Sequence, residues 1–168
     1  MATSTIDPGV LQTLLDKDVY VCPTVSGILR RIPDRFDEQA IQCLLGRLAA
    51  MRTAGVRLIA GTDSGFGRLE VGVENRMDDY VSGLEIFAAA GWDQSAVIEA
   101  ATVLAAEAIG VGGTTGALDV GKQADILAVR GNPLHRLDDL RRVEMVLVSG
   151  RNVTQTLVDT VASSGGID

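Results

Sequence analysis

Histidine is almost missing from this chain: His135 is the single one among 168 residues. A structural zinc is held by about four protein ligands and a catalytic one by about three. One histidine, two scattered cysteines and isolated carboxylates do not meet that need, so the sequence does not carry a complete metal centre of its own. Cysteine is scarce too. Cys22 and Cys43 stand alone in apolar contexts, without the pair spacing of a disulfide framework or a zinc knuckle. Cys22 precedes Pro23 with no histidine near it to activate a thiolate, and it reads as a buried strand cysteine rather than a nucleophile. Aromatics make up 4%, and 15 basic residues face 22 acidic ones, for a net charge of −7. With neither a basic stripe nor an aromatic platform, a nucleic-acid partner is excluded. No apolar run approaches the roughly 20 residues of a membrane span. Met1–Thr5 shows neither a basic nor an apolar signal-peptide region, and a reducing cytoplasm is the expected location.

What is abundant points to a packed α/β chain. Hydrophobic residues reach 46% and charged residues 22%, the balance of a globular protein. Its length can bury a core and fits one domain by size. Asp7-Pro8 starts a helix, with Asp at the N-cap and Pro in the first turn, and Leu11, Leu14 and Leu15 share a face. Residues 19–22 read as a short buried strand stopped by Pro23, followed by a loop over 24–36 with Gly27 and Pro33. Asp37 caps a predicted helix over 38–53, where Ile41, Leu44, Leu45, Leu48 and Met51 keep helical spacing, and Gly55 ends it. A strand over 56–60 follows, and helices are predicted over 75–89 and 94–109, closed by Gly91 and Gly110. Strands alternating with helices of this length predict parallel βα units.

After Gly110 the character changes. Gly112, Gly113, Gly116 and Gly121 crowd one segment. They do not match a phosphate loop, because Gly121-Lys122 lacks the upstream glycine spacing and runs into Gln123; they read as turn glycines. Two β-rich runs follow, 125–129 and 143–148, with a helical turn near 137–140 between them and a turn at Ser149-Gly150-Arg151. This predicts a small β unit distinct from the βα region, with a polar tail beyond. The resulting organisation is 1–110, 111–153 and 154–168.

The feature that carries chemistry is Gly61-Thr62-Asp63-Ser64-Gly65, directly after the strand. An apolar strand ending in a glycine-bracketed carboxylate can present an acid at the mouth of a sheet or barrel, with glycines letting a ligand approach. Asp63 can equally cap a turn with its side chain. Glu70, Glu74, Asp78 and Asp79 lie just beyond; they either line a substrate mouth or form a solvated face. His135 reads as a surface loop residue.

Three blocks in order, Gly55–Gly65, Gly91–Gly110 and Gly116–Leu134, with Val146 and Gly150 completing the pattern, resemble the C-terminal end of the amidohydrolase superfamily, nearest its imidazolonepropionase- and prolidase-like branch. The resemblance covers residues 8–153. It implies the last two βα units of a (β/α)8 TIM-type barrel, with residues 19–22 as strand seven and 56–60 as strand eight, plus half of a small β-sandwich. It implies hydrolysis of an amide, cyclic amide or dipeptide C–N bond with a divalent metal, usually zinc. Asp63 then takes the place of the strand-eight aspartate, contacting the metal and serving as general base and then acid. The metal's histidines would come from strands one, five and six, so this chain alone would lack the metal centre. The expected partners are a small-molecule substrate and either a second copy of the chain or a complementary barrel chain. As an alternative, the chain is a catalytically incompetent assembly module whose open strand edges pair with such a partner.

Overall fold

A computed structural model describes residues 6–25, 37–62 and 74–155. The predicted loop with Gly27 and Pro33, most of the acidic turn, and the tail from residue 156 lie outside the described residues.

Helix α1, Pro8–Asp16, begins as its sequence dictates. The Asp7 carboxylate accepts from the amides of Gly9 (2.8 Å) and Val10 (3.1 Å), and Pro8 occupies the first turn. Strand β1 follows at Tyr20–Val21. Helix α2 spans Glu38–Thr53, with Asp37 accepting from the Ala40 amide at 2.8 Å. Gly55, at φ 88°, reverses the chain into β2, Arg57–Leu58. β1 and β2 pair in parallel, Tyr20 with Arg57 and Val21 with Leu58, and α2 lies in the crossover that a parallel pair requires.

Both strands are shorter than their apolar runs predict, because the ladder loses its partners. Pro23 has no N–H to give. On the other strand the Ile59 amide still reaches Val21 O (3.0 Å), while the next amide, Ala60, faces the opposite edge of β2 and is taken by Ala100 O (3.0 Å) in a helix.

Helix α3 spans Glu74–Ala89, and Gly91 (φ 91°) ends that stretch. The single helix predicted over 94–109 is two: α4, Gln94–Ala101, capped by Asp93 on the Ala96 amide (2.9 Å), and α5, Val103–Ala108. The break falls at Thr102, whose backbone leaves the helical region (φ −127°, ψ −83°) while its hydroxyl donates back to Ile98 O at 2.7 Å. Such back-bonding bends helices. The Gly-rich segment fills the notch: a Cβ on Gly116 would lie 2.6 Å from the Ala106 Cβ and 3.1 Å from Thr102 O.

The core gathers Leu58 from β2, Leu84 and Phe87 from α3, Trp92, Val97 and Ala100 from α4 and its approach, and Leu137. The Phe87 and Trp92 rings meet edge to face at 4.9 Å, and the Arg52 guanidinium lies 4.7 Å above the indole.

The C-terminal unit is an antiparallel sheet of β3 (Ile126–Val129), β4 (Val143–Val148) and β5 (Arg151–Asn152) in that order. β3 runs in register with β4 from Ile126–Leu147 to Ala128–Met145 and then shifts by a bulge before Val129. β5 was not expected beyond a turn. Ser149 (φ 49°) and Gly150 (φ 77°) both sit in the left-handed region, the two-residue loop that returns a strand antiparallel on itself. No residue of this sheet is buried.

A 3-10 turn at Leu137–Arg141 joins the sheet to the helices. Leu137 enters the core, and Arg141 donates to Glu85 (2.9 Å) and Ser82 (3.2 Å) on α3. Buried Asp139 organises the turn: it accepts from Arg136 (2.5 Å) and the Asn132 amide (2.9 Å), and Gly131, at φ 113°, leaves the room a Cβ would take from that carboxylate. The Arg136 bonds, with the Asn132 amide next, hold the Asp139 carboxyl below the usual carboxylate range. Asp125 is lowered in the same way by the Ser149 amide and the Thr115 hydroxyl, and Asp93 by the Ala96 amide and Arg52. Each folded-state value lies below the unfolded one. The stabilisation is therefore complete above about pH 4 and is lost as pH falls through the folded values. Thermal melts between pH 7 and pH 2 should show stability falling on the acid side, and Asp139→Asn should flatten that fall. An unchanged acid slope in the variant would refute the role of Asp139.

Candidate functional site

Because β1 and β2 are parallel, their C-terminal ends open on one side of the molecule. Cys22 leaves β1 there, and Gly61 and Thr62 follow β2 there. Helix α3 contributes Tyr80, whose hydroxyl donates to Ala101 O at 3.3 Å. Burial, and secondarily Cys22, push the Tyr80 phenol upward, so it stays a neutral donor. Cys22 corrects the expectation of a buried strand cysteine: it is exposed, whereas Cys43 is buried in α2. The ladder ends at Val21, so Cys22 stands at the mouth rather than within a sheet. Its sulfur occupies the space where a Cβ on Gly61 would project.

Asp63 is the next residue after Thr62 and lies outside the described residues, as do Ser64, Gly65 and Glu70. Glu74, Asp78 and Asp79 fall in the first half of α3.

The opposite end of the strands is a fastening. The Arg57 guanidinium stacks 3.9 Å over the Tyr20 ring, donates to the Tyr20 hydroxyl at 2.9 Å and to the Asp18 carbonyl, and pairs with the Asp18 carboxylate at 2.6 Å. The Tyr20 hydroxyl in turn donates to Glu107 on α5 at 3.2 Å. These contacts tie β1, β2 and α5 together at the end remote from Cys22 and Gly61.

Among the described residues no three His, Cys, Asp or Glu side chains converge as a metal would require. His135 is exposed in the loop before the 3-10 turn, within the C-terminal unit. The described donors therefore do not fit a zinc centre. The Gly-rich segment has a structural role: Lys122 Nζ donates to the carbonyls of Gly112 (2.6 Å) and Thr115 (3.5 Å), which commits its charge to the backbone.

Two residues at the strand ends escaped the sequence reading. Tyr80 is one position of the helix predicted over 75–89, and Arg57 one position of the strand predicted over 56–60. The available signal was the polar tip of each. A half-buried Tyr hydroxyl and an Arg inside an apolar strand both require partners.

The fold is thus that of an α/β protein whose parallel strands end on one side at Cys22 and Gly61-Thr62, followed by a small antiparallel unit. The sequence profile of the amidohydrolase family matches residues 37–153, and the chain belongs to that family. Solved structures agree. A Xaa-Pro dipeptidase with methionine bound in its active site superposes with a TM-score of 0.71 at 20% identity, covering 90% of this chain and 38% of that one. An amidohydrolase gives 0.69 at 25% identity, covering 89% and 38%. A prolidase complexed with N-methylphosphonate-L-proline gives 0.67 at 23%, covering 89% and 38%. The chain therefore spans little more than a third of the length of these proteins. No curated protein sequence matches it significantly. No described helix is long and apolar enough to cross a membrane.

Proposed function

We propose that this chain forms the last two βα units of a barrel amidohydrolase together with its C-terminal sandwich strands, and that the assembled enzyme hydrolyses the C–N bond of a dipeptide or cyclic amide. The observation that carries this is the parallel pairing of β1 and β2. It brings their C-terminal ends together at Cys22 and at Gly61-Thr62, immediately before Asp63. Barrel enzymes build their sites from the loops at that face. The family match and the Xaa-Pro dipeptidase and prolidase among the similar structures support the bond type.

Asp63 acts as a proton carrier. Its carboxylate accepts a proton from the attacking water and then delivers it to the departing nitrogen, general base first and general acid second. Members of this family generally use divalent metals, and zinc is the expected one here. The described residues do not supply a ligand set, so on this reading Asp63 contacts the metal and its other ligands come from strands other than β1 and β2. The protein on its own should then bind well under one zinc per chain by elemental analysis after gel filtration, and should not cleave Xaa-Pro dipeptides. Adding a polypeptide that supplies the earlier barrel strands of a relative should bring metal binding and cleavage together. One zinc per isolated chain, lost in Asp63→Ala, would overturn this assignment of ligands.

A second reading is favoured by the C-terminal sheet, which exposes Leu127 and Val148 and has no fully buried residue, and by β1–β2, whose outer edges have no strand partner among the described residues. On this reading the chain acts chiefly as an assembly module, pairing with a copy of itself or a complementary chain.

A further inference from the structure

We draw no further inference here: the strongest candidate, the exposed apolar patch of Leu118 and Val120 on the Gly-rich loop that leads into edge strand β3, carries none because nothing in the structure shows what covers it.

Discussion

Asp63→Asn should lower kcat of the assembled enzyme by about 10²–10⁴, the range for loss of a positioned general base or acid. The thermal midpoint should hardly move. The choice of asparagine separates the two roles open to this residue. An Asn side chain keeps the shape of Asp and can accept the same turn-capping hydrogen bond, but it cannot take up a proton. If Asp63 merely capped the turn, Asn would leave activity near its starting value and Asp63→Ala alone would be harmful. If Asp63 carries the proton, Asn and Ala should be similarly inactive, and only Ala should also loosen the turn. The decisive measurement is kcat and KM for both variants on a Xaa-Pro dipeptide, with melting curves alongside. Asn activity within a fewfold of the parent would remove Asp63 from the mechanism.

Trp92→Ala should cost about 3–5 kcal/mol of folding stability, the usual range for deleting a large buried aromatic. Trp92 is 8% exposed and packs edge to face on Phe87 within the cluster that also holds Leu58, Val97 and Leu137. Its loss also takes away the surface on which the Arg52 guanidinium rests, while the exposed Arg52–Asp93 pair (3.1 Å) offers little in return. Against the roughly 5–15 kcal/mol that a domain commands, such a loss brings the unfolding midpoint close to ambient conditions. Trp92→Phe keeps an aromatic ring in the site and should cost markedly less. Since Trp92 is the single tryptophan, urea unfolding should be followed by far-ultraviolet circular dichroism. A loss below about 1 kcal/mol for the alanine variant would show that the indole is not part of the core.

The helices were legible because their signals are local. Asp7-Pro8, Asp37 and Asp93 each place a carboxylate where free amides of a first turn must be satisfied, and each is found capping. Gly55, Gly91 and Gly110 each have positive φ where a helix was predicted to end. Val81, Leu84 and Phe87, spaced for one helical face, are all buried. The order of motifs around Asp63 likewise sufficed to indicate the amidohydrolase family, since the chemistry is written in residue types and spacing.

Contacts between segments far apart in sequence decided the rest. Thr102 splits a helix whose composition reads as continuous, and the Gly116 segment, later in the chain, packs against the break. β1 and β2 pair over only two residues each, and on the other edge of β2 the Ala60 amide finds Ala100 O, a partner in α4 that no local pattern names. The same shortening moves Cys22 from an expected interior position to the exposed exit beside Gly61. Local propensity and capping energies are properties of neighbouring residues and survive in the sequence. Which amide takes which carbonyl across 40 residues, and which side chain fills the space above a glycine, is a competition among distant groups that only the folded chain resolves.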